Sequence, residues 1–312
     1  MNKKKAALGA GIAFGALFAG STYSFGKRMY DATFGDKPKI GREGLDEYYS
    51  SKGDLTRLAE FPHQKFMVEN SKNGYLIETL HVKSNRDNPN VMIIVHGITS
   101  NYFELLNVAF KYLEDGTNVI MYNQRQTGQT GGDNFTFGLF EKFDMEEIAT
   151  IARRLYPDGW VGVHGFSMGA ATAAMHSELN EQAKRVDFYI LDGPFHTIES
   201  TLDAAFDKKK YPVIWRPYLK WSGNLMALAK ARIKYRDVQP IHALKKASVP
   251  VLILHGTADA TCPYKGAQLM YDAIAHAKKE LKAFPDLGHC QAHYLETKNY
   301  FKTIRKFIEK NV

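Results

Sequence analysis

The sequence predicts an α/β fold: a doubly wound, mostly parallel eight-stranded sheet, covered by helices, with a small helical cap inserted late in the chain. Three observations carry that expectation. From about residue 65 onward, apolar β-type runs alternate with helix-like stretches, which implies right-handed crossovers between parallel strands. Runs such as Val91 to Val95 are continuously apolar, as strands buried on both faces are. Glycines and polar residues follow the runs, at the strand ends where such sheets hold ligands.

The chain opens with Met1-Asn2-Lys3-Lys4-Lys5, followed by Ala6 to Phe25 without a charged residue and then Lys27-Arg28. Twenty uncharged residues suffice to span a bilayer as a helix. A basic head before an apolar run also fits a secretory signal, with Ala19-Gly20-Ser21 as a cleavage site. Residues 1–25 are therefore expected to be a membrane anchor or a signal segment. In either case the lysines stay inside and the rest of the chain lies outside the membrane.

Residues 26–64 carry glycines, prolines and charges and read as a linker with a partly helical lead-in. The main domain is expected over 65–312. Its β-type runs are Phe66 to Val68, Tyr75 to Val82, Val91 to Val95, Val119 to Tyr122, and then about 160–164, 186–191, 249–255 and 281–284. Lys72-Asn73-Gly74 between the first two marks a hairpin. Helices are expected near 101–114, 141–156, 168–180, 264–279 and 293–310. Residues 196–247 break the alternation with a basic, aromatic, helical insertion.

Composition narrows the function. Three of the eight net positive charges sit in Lys3 to Lys5. No arginine-rich block or aromatic-basic module points to nucleic acid. The two cysteines, Cys262 and Cys290, lack a C-x-x-C, which excludes a disulfide scaffold and a structural zinc site of usual spacing.

The most informative stretch is Trp160 to Ala174. A β-type run ends at His164, Gly165-Phe166-Ser167-Met168-Gly169 reads G-x-S-x-G, and an alanine-rich helical segment follows. A strand that reverses at once into a helix needs a turn with little side-chain bulk, and its apex, Ser167, is held strained with its hydroxyl exposed. The helix aims its N-terminal amides at the same point. Other strand ends carry His96-Gly97-Ile98-Thr99, Leu191-Asp192-Gly193, His255-Gly256-Thr257-Ala258-Asp259 and Asp286-Leu287-Gly288-His289. The chain order is nucleophile, acid, base.

Over residues 65–310 these motifs resemble the α/β-hydrolase superfamily. The run from Phe137-Gly138 to Thr172 resembles a bacterial serine-hydrolase branch that often carries an N-terminal membrane segment. The resemblance implies Ser167 as nucleophile, His289 as general base and Asp259 as its partner, with the amides of Ile98 and Met168 as oxyanion hole. Asp192, also at a strand end, is the alternative acid. Where relatives read D-x-R-G-x-G-x-S, this chain has Asn123-Gln124-Arg125-Gln126-Thr127-Gly128-Gln129-Thr130, without the aspartate and the first glycine. His96 and His164 are expected to make packing and loop hydrogen bonds. His289 and His293, four apart, suit a metal, but no H-E-x-x-H glutamate accompanies them, so no metal and no cofactor is expected.

In the insertion, Trp215, Tyr218 and Trp221 are spaced to share one helix face and are expected to bind the substrate's apolar group; the alternative is a packing helix with Lys208-Lys209-Lys210 in solvent. The expected function is a serine carboxylesterase acting through an acyl-enzyme on a small-molecule ester or acyl substrate. A peptidase or acyltransferase on the same triad, and a catalytically silent, membrane-tethered binding protein, are the alternatives.

Overall fold

The computed structural model describes residues 19–33 and 54–312. Its eight-stranded sheet has the order β1-β2-β4-β3-β5-β6-β7-β8. β1 (His63–Asn70) and β2 (Tyr75–Val82) form an antiparallel hairpin, and β2 pairs antiparallel with β4 (Asn118–Tyr122). The remaining pairings are parallel, joining β3 (Val91–Val95) to β4 and to β5 (Val161–Phe166), then β6 (Phe188–Asp192), β7 (Val251–Gly256) and β8 (Lys279–Phe284). Strands β3 to β7 are buried along their whole length, which is why their sequences are mostly apolar, with polar residues chiefly at their ends.

Alternation along β3 divides the core. Met92 and Ile94 join one layer with the helices Leu106–Glu114 and Thr297–Asn311. Val91, Ile93 and Val95 join the other with the helices Glu141–Leu155, Met168–Ala183 and Tyr264–Ala273. A third cluster lies under the insertion, whose helices Ile198–Lys208 and Arg216–Ala231 pack with Ala171 and Met175 of the helix that follows β5.

Local departures from the sequence reading have physical causes. The hairpin turn has four residues, Ser71 to Gly74, and the Asn70 side chain closes it by accepting the Asn73 amide at 2.7 Å. The helix expected to reach residue 279 ends at Ala273, because buried Ile274 turns extended into the core and Lys279 already pairs with Val251. Tertiary pairing there overrides helix propensity.

Of the segment expected to anchor the chain, residues 6–18 lie outside the described residues. Residues 19–33 are helical, so the segment read as a linker from residue 26 begins as helix; residues 34–53 lie outside the described part, and a short helix, Asp54–Leu58, leads into β1. Among the described residues no helix is long and apolar enough to cross a membrane.

Candidate active site

The sheet changes winding direction between β3 and β5, and the loops after these two strands meet there, as expected for a ligand crevice in an open α/β sheet. Ser167 follows β5 directly and has φ 53° and ψ −115°, a conformation a non-glycine residue holds only when its surroundings enforce it. The enforcement is visible. The Ser167 amide donates to the Asp192 carbonyl at 2.8 Å, and the Ala171 amide donates to the Ser167 carbonyl at 3.0 Å. A β-carbon at Gly165 would run into the Gly169 carbonyl, and one at Gly169 would run into the carbonyl oxygens of Val95 and His96. These obstacles are backbone and cannot swing aside. Gly169→Ala is therefore expected to destabilise the fold by about 1–3 kcal/mol, as overpacking does. Thermal unfolding checks this, and an unchanged midpoint would mean the helix and β3 have room to separate.

The three residues expected to act together do meet. His289 Nε2 lies 2.7 Å from Ser167 Oγ, and His289 Nδ1 lies 2.7 Å from Asp259 Oδ2. The Asp259 side chain is fully buried, whereas a quarter of the His289 side chain reaches solvent, so the chain of groups runs from the interior to an accessible hydroxyl. Burial works against the Asp259 charge. Hydrogen bonds from His255 and His289, the His289 charge and the Cys262 amide outweigh it and hold the carboxyl well below the usual carboxylate range. Its second oxygen accepts the amides of Thr261 and Cys262, both at 2.8 Å, which fixes its orientation.

Asp192 lies elsewhere in this network. Its carboxylate accepts the Tyr300 hydroxyl at 2.7 Å; Tyr300 in turn lies 2.8 Å from His164 Nε2, and His164 Nδ1 lies 3.0 Å from the Tyr112 hydroxyl. Burial raises the Asp192 pKa from 3.8 to about 6, against the Tyr300 hydrogen bond and the nearby histidines. Its side chain thus buttresses the site from behind, while its carbonyl holds the Ser167 amide. His164 is driven well below its ordinary pKa by burial and is neutral.

Of the two amides expected to receive an oxyanion, Met168 opens a helix, where a first-turn N–H has no intrahelical acceptor. Ile98 follows Gly97, whose missing side chain lets the loop lie against Ser167: a β-carbon there would stand 3.3 Å from Ser167 Cβ. His96 supports this loop. It contacts the Gly97 carbonyl through Nδ1 at 2.7 Å and accepts the Gln124 amide on Nε2 at 2.9 Å; burial lowers its pKa to about 4. Gln124 also donates to the His96 carbonyl and accepts from Thr172. Asn123 joins the Tyr102 amide to Glu78. The segment that departs from the usual D-x-R-G-x-G-x-S is thereby rebuilt from amide side chains.

Trp215, Tyr218 and Trp221 make no hydrogen bond or ring contact with the triad among the described residues. Tyr218 is half-buried, its hydroxyl 2.9 Å from Thr22 Oγ1, and it packs against Phe25 and Trp221. Trp215 and Trp221 face solvent. Trp215 stands in the 3₁₀ turn Val213–Trp215 ahead of the helix Arg216–Ala231 and so does not share the helix face expected for it. For Trp221 the reason lies in the opposite stripe of that helix. Leu219, Ser222, Gly223 and Ala227 are mostly small and are the residues that pack inward, leaving the large rings outside.

Sequence reasoning missed His255, 3.2 Å from Asp259 Oδ2, and Cys290, whose thiol lies 3.6 Å from the Asp192 carbonyl and 3.9 Å from His289 Nε2. His255 was legible as a polar residue ending a strand. Tyr300 and Glu78 carried no motif at all. His293, considered with His289 for a metal, packs instead against Phe166, Tyr294 and Tyr300.

Residues 90–234 match the family described as alpha/beta hydrolase fold, and residues 238–293 match the family described as serine aminopeptidase, S33. The chain is 30% identical over 280 residues to the uncharacterized protein YqkD of Bacillus subtilis (strain 168), covering 88% of each chain. Among solved structures it resembles the esterase Pf2001 of Pyrococcus furiosus, with a TM-score of 0.65 and 20% identity over 82% of this chain and 94% of that one. It also resembles the esterase EaEST of Exiguobacterium antarcticum, with a TM-score of 0.57 and 21% identity over 79% of this chain and 100% of that one.

Proposed function

Because the chain belongs to the α/β-hydrolase superfamily, we propose that it is a serine hydrolase that cleaves carboxylic esters through an acyl-enzyme. The observation that carries this reading is the unbroken hydrogen-bond chain from Ser167 through His289 to buried Asp259, joining groups 122 and 30 residues apart in sequence. In the proposed reaction His289 Nε2 takes the Ser167 proton as Oγ attacks the ester carbonyl. Asp259 stabilises the imidazolium and holds Nδ1 in the donating tautomer. The oxyanion is received by the amides of Ile98 and Met168. His289 then returns the proton to the leaving alkoxide, and water repeats the sequence to release the acid and restore Ser167.

A second reading is supported by the match of residues 238–293 to a serine aminopeptidase family. There the same groups would act on an amide. The test is a panel of chromogenic esters of graded acyl length run beside matched amides and thioesters. Faster turnover of esters than of their amide counterparts is the expected result; amide hydrolysis with no ester activity would transfer the assignment to the peptidase reading. The charge-free run behind Lys3 to Lys5 is proposed to tether the enzyme at a membrane with its domain outside, through residues 6–18, since residues 19–25 of that run belong to the helix that packs against the insertion.

A further inference from the structure

The cap carries an exposed surface that the hydrolytic reading leaves unused. Val213, Ile214 and Trp215 form a short 3₁₀ turn ahead of the helix Arg216–Ala231 and are 73%, 82% and 59% exposed. Pro212 precedes this turn and Pro217 follows it, so two fixed φ angles hold the apolar tip outward. The patch continues along the helix. Trp221, Leu225 and Leu228, at helical spacings of four and three, are also exposed, opposite the stripe that packs into the cap. An apolar surface of this extent on a folded chain marks an interaction site.

Its electrostatic setting identifies the partner. Residues 207–237 contain nine lysines and arginines and two aspartates, a net +7 in a chain whose total is +8. Lys208, Lys209 and Lys210 stand immediately before the tip and take part in no ion pair among the described residues. An isologous contact between two copies would set the unpaired Lys208, Lys209 and Lys210 of one against those of the other. Apolar rings on a basic platform instead suit a bilayer interface bearing anionic headgroups, where tryptophan is favoured and each nearby cation adds attraction.

The N-terminal helix packs along the buried stripe of the same cap helix, with Phe25 reaching the Tyr218 ring at its margin. Thr22 bonds Tyr218, and a β-carbon at Gly26 would stand 2.6 Å from the Ser222 carbonyl oxygen, so residues 19–33 run in close contact with the cap helix. Tyr30 is buried in the cluster beneath the cap. Phe25 remains exposed and lies edge-on to Tyr218, whose ring neighbours Trp221.

We infer that the outer face of the cap, from Val213 to Leu228 with Lys208 to Lys210, is a docking surface for an anionic lipid bilayer. The inference needs neither the triad nor a membrane-spanning N-terminus, so its test does not use activity. The full-length protein is mixed with, or reconstituted into, phosphatidylcholine bilayers with and without phosphatidylglycerol, with brominated acyl chains, and tryptophan emission is followed. Quenching is expected in the anionic bilayers, and most of it should disappear in Trp215→Phe and Trp221→Phe combined, which leaves only Trp160. Replacing Lys208, Lys209 and Lys210 by glutamine should raise the phosphatidylglycerol fraction needed and weaken docking by about five-fold per cation. The inference is overturned if Trp215 and Trp221 are not quenched, or are quenched equally without anionic lipid. It is also overturned if the protein self-associates in solution through this face and Ile214→Ser makes it monomeric. All these residues are exposed, and unchanged thermal unfolding of the variants verifies that the fold is intact.

Discussion

Ser167→Ala is expected to remove ester turnover almost completely, by roughly six powers of ten in kcat, equivalent to about 8 kcal/mol of barrier. The substitution deletes one oxygen and leaves the backbone that strains it untouched. The Ser167 amide still reaches the Asp192 carbonyl, and the Ala171 amide still reaches the residue's own carbonyl, so the turn keeps its ties. His289 loses a partner at Nε2 but remains bound to Asp259 through Nδ1 and open to water on its exposed side. Thermal stability should therefore stay close to that of the parent while turnover vanishes. Retained turnover at even a hundredth of the parent rate would exclude Ser167 as the nucleophile.

The two aspartates at the strand ends are expected to part in both activity and stability. Asp259→Asn should reduce kcat by about four powers of ten, because an amide cannot stabilise the imidazolium or enforce the tautomer that leaves Nε2 free. Asp192→Asn should change kcat far less, since its carboxylate meets Tyr300 and reaches the site only through the backbone. Their effects on pH-dependent stability have opposite signs. Asp259 is held below its unfolded pKa, so its ionised form stabilises the fold above about pH 4, and this is lost as pH falls through the folded pKa. Asp192 is raised from 3.8 to about 6; its contribution is full below pH 3.8 and is lost as pH rises through about 6. Two pKa units correspond to about 3 kcal/mol. Asp192→Asn should then gain up to that amount over the parent at pH 8 and nothing near pH 3. Denaturant unfolding at the two pH values measures it. If Asp192→Asn loses activity while Asp259→Asn keeps it, the acid's role belongs to Asp192.

The strand positions and the three residues of the site could be read from sequence because each is local. A continuous apolar run marks a central strand wherever it lies, and the polar residue just beyond it falls at the sheet's carboxyl edge. The network behind the site is not local. Asp192 meets Tyr300 across 108 residues, and His164 meets the same hydroxyl across 136; Asp192 and His164 stand at legible strand ends, but no short motif surrounds Tyr300. For the cap, helical spacing placed Tyr218 and Trp221 on one face but could not say which way that face turns. The small residues Ser222, Gly223 and Ala227 settle it, since they admit the close approach of Met29 and Tyr235 on the other side. The same close approach explains why residues 26–33 are not a free linker: Gly26 seats the N-terminal helix against the cap.

The central claim is that Ser167 Oγ, activated by His289, forms a covalent acyl intermediate. Mass mapping of the purified protein after brief exposure to a fluorophosphonate tests it most directly. The account predicts one adduct, on the peptide containing Ser167, and none in His289→Ala under the same exposure. An adduct on any other residue, or equal labelling of Ser167 without His289, would contradict it.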